Sequence, residues 1–439
     1  MIVGLIQLAM RTLVLVVAVC ASLAPAYAQP TYTREVSRIF QAKCQRCHRP
    51  NDIAPFALMT YDDASTWAED INRVVSDKIM PPWKPVPGHG DFKDSYGLTA
   101  EERQTILDWF AAGIPQGDPA DLPEPLPATG EWQLGDPDLV VQMPQSYDVP
   151  RKKDDYRCFV LPTGVDADKW VNAVQVVPGN KQIVHHVLLF IDTQGEADKL
   201  DGKDGNPGYT CYGGPGFDVQ TLSGIAAALD LTGGLGGWVP GTRVQTLPDG
   251  VGLLLPRNSK IVMQVHYFPN GHPGPDQTKV GLYYSKTPVE RRMRYLPIVN
   301  TSFKIQPGEA AKEVTAKFTV PFFFDAHAIQ IAPHMHLLGR KIKVELAGAK
   351  STDDLIQIDD WDFNWQGFYT FQDPFALPAG STIKLSCIFD NTAENPKNPS
   401  DPLKVVGWGE GTEDEMCLAF LGVTLDREKL TLFNRQPLK

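Results

Sequence analysis

Val184-His185-His186-Val187-Leu188-Leu189-Phe190-Ile191 is the stretch on which the fold turns. It is a short run, apolar apart from two histidines, with Pro178-Gly179-Asn180 before it and Asp192 and Gly195 after it. Such a run reads as a buried strand. The pattern recurs at residues 171–177, 261–268, 318–324, 341–346 and 382–389, separated by Gly, Pro, Asn and Asp clusters. Short strands spaced in this way are the signature of antiparallel sandwiches. The strand-rich part is about twice what one sandwich needs, so two all-β antiparallel, jelly-roll-like sandwiches are expected, with a junction near residues 286–297. Residues 233–241 (GGLGGWVPG) read as a loop.

Upstream the character changes. Residues 31–118 are expected to be largely helical. Residues 34–42 lead into Cys44-Gln45-Arg46-Cys47-His48, and residues 62–79 carry Ala64, Trp67, Ile71, Val74 and Val75 at helical spacing. Thr99 caps a third helix, with Glu101 and Glu102 in its first turn and Ile106, Leu107, Trp109 and Phe110 turned inward. Gly113 and Pro115 end it. Residues 118–129 (DPADLPEPLPAT) form a stiff Pro-rich tether. The first 28 residues read as a secretory signal, with Arg11, an apolar run at 13–23 and Ala26-Tyr27-Ala28. The expected organisation is therefore a signal at 1–28, a small all-α domain at 29–118, a linker and lead-in strand at 119–145, and sandwiches at 146–288 and 289–439.

The formal net charge is −11 with no basic block, which argues against nucleic acid and anionic membranes as partners. No segment after the signal is long and apolar enough to span a bilayer, so a periplasmic or secreted location without membrane association is expected. Of seven cysteines, Cys20 leaves with the signal and Cys44 and Cys47 belong to one motif. Cys158, Cys211, Cys387 and Cys417 remain, an even number suited to two disulfides in an oxidising compartment.

Cys44-x-x-Cys47-His48 has the spacing of a haem c attachment site: two thioether links to the macrocycle, and His48 as an iron ligand. A zinc pair is the alternative, but this region has no second Cys pair to complete a tetrahedral site. Met80, in Met80-Pro81-Pro82-Trp83, is the candidate sixth ligand, and Met59 is its rival. Haem with thioether ligation passes electrons and does not activate oxygen. The helical region thus reads as a small cytochrome c.

Five histidines of the strand-rich part sit in suggestive positions. His334 and His336 are two apart, so on a strand both imidazoles face one side and can grip one metal, although a buried metal-free pair is an equal alternative. His185 and His186 are adjacent and would face opposite ways. They can share an ion only at a bulge, at a strand end or through different ring nitrogens. His89 reads as a solvated loop residue, His272 as a turn residue, and His327 as a packing or capping residue.

Three segments together resemble the copper type II, ascorbate-dependent monooxygenases, the family of peptidylglycine α-hydroxylating and dopamine β-monooxygenases. They are His185-His186-Val187-Leu188-Leu189-Phe190 with Gln264-Val265-His266-Tyr267, then His334-Met335-His336-Leu337-Leu338-Gly339, and finally Asp414-Glu415-Met416-Cys417 with Cys387-Ile388-Phe389 upstream. The resemblance covers about residues 150–425. It implies two copper ions: one held by His185, His186 and His266 for electron transfer, and one held by His334, His336 and Met416 for oxygen chemistry. It also implies the pairings Cys387–Cys417 and Cys158–Cys211, O2 and a small-molecule substrate as reactants, and an external electron donor, either ascorbate or a redox protein. Imidazole triads accept both copper oxidation states, and a thioether steadies the reduced one. The cytochrome is an addition that the animal members lack, placed to resupply electrons.

Where peptide-amidating members carry Arg, Asn and Tyr to hold the peptide terminus, this chain has Ala332, Leu418 and Phe420. A bare carboxylate there would meet apolar wall. Peptide amidation is therefore not expected, and a small, neutral or partly apolar substrate is. The reading is an exported haem–copper monooxygenase. The alternatives are a non-catalytic copper-binding electron carrier or copper-handling protein, and a structural sandwich with vestigial histidines.

Overall fold

A computed structural model describes residues 29–50, 52–126, 130–150, 154–217, 233–268, 274–323, 325–347 and 352–430. The expected signal segment with Cys20, and His272, lie outside the described residues. Two compact units emerge: one from residues up to Arg49 with Phe56–Pro81 and Leu98–Leu126, the other from Pro50–Pro55, Pro82–Gly97 and Pro127–Lys439.

In the first unit, residues 32–44 are helical in three consecutive segments, Tyr32–Val36, Ser37–Ile39 and Phe40–Cys44. The helices Tyr61–Thr66, Ala68–Ser76 and Ala100–Ala111 follow. Thr60 and Thr99 each accept from the third backbone N–H of their helix, while Asp63 and Glu102 reach back to the cap. These reciprocal caps fix both starts. A break at Trp67 splits what the apolar spacing suggests is one helix. Ala64, Ile71 and Val75 are buried as that spacing implies, but Trp67 is 37% exposed and stacks on Phe56. The core joins Tyr32, Val36, Phe40, Ile106 and Trp109. Gly113, at φ +82°, turns the chain out of the last helix.

The second unit is built from strands. Those of its first half are β1 (Leu139–Gln142), β2 (Asp155–Pro162), β3 (Lys169–Val177), β4 (Val184–Asp192), β5 (Gly234–Trp238), β6 (Val251–Leu255), β7 (Lys260–Tyr267) and β8 (Lys279–Tyr284). One sheet runs β1-β8-β3-β6 and is extended by Arg291–Arg292; the other runs β2-β7-β4-β5, with Tyr209–Thr210 beside β2. The second half has β9 (Arg294–Asn300), β10 (Lys312–Thr319), β11 (Ala326–His334), β12 (Gly339–Ala347), β13 (Thr352–Ile358), β14 (Tyr369–Leu377), β15 (Thr382–Phe389) and β16 (Cys417–Leu425). Its sheets run β9-β16-β11-β14 and β10-β15-β12-β13. Each half buries its own core: Phe159, Leu161, Leu189, Met263 and Leu282 in the first, and Ile331, Ile342, Leu385, Phe389 and Leu421 in the second. The chain passes from one half to the other between Arg292 and Arg294.

Two features depart from the sequence reading. Part of the Gly-rich stretch taken for a loop is strand β5, paired with Val187–Phe190 of β4. A side chain at Gly237 would place Cβ 2.6 Å from the Val187 carbonyl oxygen and 2.8 Å from the Phe368 ring, so a strand can lie there only without one. The other is Pro82–Gly97, sequence from the helical region that is built into the second sandwich. Phe92 is buried in that core and bridges to Phe371. Val86 N donates to Gln357 O at 2.8 Å and Lys93 N to Thr370 O at 2.8 Å, while Trp83 packs edge-on against Tyr369. His89, expected to be solvated, instead pairs with Asp354. Within the strap Phe92 is buried and His89 half-buried, while Pro87, Asp91, Asp94 and Ser95 are exposed.

Candidate metal centres

The adjacent histidines are reconciled by a bulge. In the β4–β7 ladder Val184 opposes Tyr267 and His186 opposes His266, leaving His185 as the extra residue. A bulge re-aims one side chain, so both imidazoles reach the same side. One ligand atom from each of His185, His186 and His266 lies within 4.8 Å of the others. His185 Nδ1 is 3.3 Å from His186 Nδ1, while His185 Nε2 and both ring nitrogens of His266 are buried without a hydrogen-bond partner among the described residues. Buried imidazole nitrogens are rarely left so. Tyr156 stacks on His266 at 4.1 Å and 7°, fixing its plane. Burial pushes His185 down to about 4, and pushes His186 and His266 well below the usual imidazole value, with the neighbouring imidazoles adding to the effect. All three are neutral at pH 7, the form that binds metal.

The second set comes from β11 and β16. Ala332 opposes Phe420 and His334 opposes Leu418 in an antiparallel register; His336 follows the end of β11, Met416 precedes β16, and both line one cavity. His334 Nδ1 bonds Gln366 Oε1, and His336 Nδ1 donates to the Asp414 carbonyl at 3.0 Å. Each contact leaves Nε2 as the outward donor. Burial lowers both imidazoles, His336 to about 3. Trp361 Nε1 donates to His336 O at 3.1 Å, and the fully buried Glu415 accepts from the N–H groups of His336 (2.9 Å), Leu338 (2.5 Å) and Met416 (3.2 Å). One carboxylate thus ties the two ligand-bearing segments together. Burial raises Glu415 to about 8, opposed by these backbone donors.

A cavity of about 90 Å³ is walled by His186, His334, His336 and Met416, and by the apolar Leu188, Val239, Ala332, Phe368, Leu418 and Phe420. Glu410 also faces it, its carboxyl raised by burial and by Asp414. Phe363 lies between the histidine sets, stacked on His185 at 4.9 Å and edge-on to His336 at 5.8 Å. His327 is at the far end of β11, paired with Asp426 at 2.7 Å, a packing role.

Cys158–Cys211 and Cys387–Cys417 are bonded, with Cα separations of 5.8 and 5.9 Å. The second joins β15 to β16, one from each sheet of its sandwich, directly after Met416. Cys44 and Cys47 stay outside both disulfides at the end of a helix. His48 Nδ1 is 3.1 Å from the Phe56 carbonyl, so Nε2 is again the outward nitrogen. Met80 is half-buried beyond the helix Ala68–Ser76, and Met59 is 38% exposed.

Phe363, Gln366, Tyr156 and Glu415 were not legible as site residues. Phe363 and Gln366 sit in a loop with no motif, and only adjacency to Met416 could have drawn attention to Glu415.

Both sets of residues fit copper: neutral imidazoles with three buried nitrogens lacking a hydrogen-bond partner among the described residues in the first, imidazole with thioether in the second. Among the described residues no helix is long and apolar enough to cross a membrane, and the disulfides fit an oxidising compartment. No curated protein matches the chain. Among solved structures it is similar to the infectious bursal disease virus Gx strain structure (9% identity, 68% of this chain and 82% of that one, TM-score 0.17). It is also similar to the major capsid protein P2 from bacteriophage PM2 (8%, 62% and 97%, TM-score 0.23). Likeness this slight carries no argument. Residues 300–424, which hold His334, His336 and Met416, match the family model of the copper type II ascorbate-dependent monooxygenase C-terminal domain, a similarity that supports a copper monooxygenase.

Proposed function

We propose that the chain is an exported haem–copper monooxygenase that hydroxylates a C–H bond of a small substrate with O2. The observation that carries this reading is the convergence of three imidazoles on one point, with His185 Nε2 and both His266 nitrogens buried without a hydrogen-bond partner among the described residues, next to a cavity lined by His186, His334, His336 and Met416. His185, His186 and His266 would hold one copper, and His334, His336 and Met416 the other. Cys44, Cys47 and His48, with Met80, would hold haem c in a cytochrome domain at residues 29–118. When bound, copper would supply one-electron redox chemistry and dioxygen activation, and haem a one-electron store refilled by an external donor, ascorbate or a redox protein.

The protein's own part is positioning. Gln366 and the Asp414 carbonyl fix the tautomers of His334 and His336, so each would offer its Nε2 to copper in a held orientation. Ala332, Leu418 and Phe420, where peptide-amidating members have polar anchors, give the cavity an apolar wall that keeps bulk water from the reacting bond. Phe363 closes the gap between the cages and holds His185 in plane.

The test is oxygen uptake by the haem- and copper-loaded protein, reduced with ascorbate, across a panel of small apolar and aromatic compounds. Hydroxylated product in step with O2 consumed, and lost in His336→Ala with the haem spectrum intact, is the expected outcome. Tight copper binding with no product from any compound would favour an electron carrier. No copper at all would leave a structural sandwich.

A further inference from the structure

A second cavity, about 60 Å³, lies along the same face of β11. His334 and Ala332 wall the first cavity and Gln330 the second, and alternate strand residues share a face. Phe368 walls both. From His334 to Gln330 is four residues, about 13 Å along the strand.

The second cavity combines apolar walls, Leu235, Leu247 and Leu253, with Thr242, Arg243, Gln245, Gln330 and Thr370. Tyr295 Oη donates to Gln330 Oε1 at 3.0 Å, and Gln330 Nε2 donates to Thr370 Oγ1 at 3.0 Å. Thr242 Oγ1 accepts from Val239 N at 3.2 Å, and Gln245 Nε2 bonds Asp94. Asn172 Nδ2 donates to Leu247 O at 3.2 Å, and the Asn172 and Gln245 side-chain oxygens face the same cavity. The hydroxyl hydrogens of Thr242 and Thr370 remain, with the guanidinium of Arg243, which has no hydrogen-bond or ion-pair partner among the described residues. Arg243 is a half-buried residue, and an arginine there without an acceptor is uncommon in a chain of net charge −11. Among the described residues, the guanidinium is the one cationic group of the cavity's lining. Gly236, at φ +101°, is where an added Cβ would come within 2.9 Å of Tyr295 Oη, so the lack of a side chain keeps the cavity open.

We propose that this cavity binds a small organic anion, a carboxylate or an enediolate, gripped by Arg243 with the Thr242 and Thr370 hydroxyls. A planar anion matches the fork of the guanidinium. An occupant up to about 13 Å long would extend along the face of β11 to the edge of the copper cavity. The inference deepens the copper reading and rests on it for the meaning of that reach, though not for the binding itself.

Isothermal titration of the metal-free full chain with benzoate, with ascorbate and with neutral benzyl alcohol separates the cases. Benzoate or ascorbate should bind, at least tenfold more weakly to Arg243→Gln and with intermediate strength to Arg243→Lys. Benzyl alcohol should not distinguish the variants. A preference for benzoate identifies a carboxylate occupant, and one for ascorbate an enediolate. Copper content should be the same in Arg243→Gln as in the parent. Absent anion binding, or binding that Arg243→Gln leaves unchanged, would overturn the site. Because the titration uses no metal, it can fail while the copper reading stands, and the reverse also holds.

Discussion

Replacing Cys387 and Cys417 together with Ala isolates the anchor that presents Met416. The bond closes a loop with a sequence separation of 30 and ties the two sheets of the second sandwich through side chains that are both fully buried. The loop-closure relation gives about 3.6 kcal/mol of lost chain entropy in the unfolded state for a loop of this length. At ~2–4 °C per kcal/mol for a domain of this size, the melting temperature of that sandwich should fall by roughly 7–14 °C. The consequence reaches the site because Cys417 opposes Asn300 and begins β16, and Met416, just before it, donates its N–H to the Glu415 carboxylate at 3.2 Å. Urea unfolding followed by tryptophan fluorescence gives the stability. Copper titration of the same protein gives the second prediction: weaker binding at the methionine-containing site and unchanged binding at the trio. A loss under 1 kcal/mol, or full retention of both coppers at parent affinity, would refute the anchoring role.

Metal-free protein should lose stability on acidification. His185 is depressed from 6.5 to about 4, so folded and unfolded chains are both neutral above pH 6.5, and only the unfolded chain gains this proton as pH falls toward 4. That one group costs about 3 kcal/mol by pH 4, so the urea midpoint should fall between pH 6.5 and 4 less steeply in His185→Phe than in the parent; parallel slopes would contradict the assignment. Phe363→Ala removes a ring that is 3% exposed and contacts both histidine sets. It should cost about 3–4 kcal/mol and weaken copper at both sites, which two-site titration would detect. Trp83→Ala strips the strap of its contact with Tyr369 and should cost about 2–3 kcal/mol, read as increased proteolysis within residues 82–97.

What could be read in the sequence followed from local periodicity. The run at 184–191 is β4, His334 and His336 share a face of β11 and its continuation, and Thr99 caps its helix. These depend on neighbours in the chain. What escaped depends on distant contacts. The strap Pro82–Gly97 has no periodicity to mark it, and only the core of the second sandwich gives Phe92 its burial. Gly234–Trp238 looks like a loop because strand preference resides in side chains, whereas here their absence admits Phe368. His89 found Asp354 for the same reason. The adjacent histidines posed the geometric problem correctly, and a bulge, one of the solutions open to them, is what the ladder contains. Gln366 and Glu415 orient ligands from positions whose sequence surroundings are ordinary.

X-ray absorption at the copper edge of the reduced protein addresses the six-ligand claim most directly. Two coppers per chain with nitrogen scattering, and one sulfur contribution that disappears in Met416→Leu while the nitrogen shell persists, is the predicted result. A spectrum without sulfur, or a single copper that survives removal of His334 and His336, would contradict two separate cages.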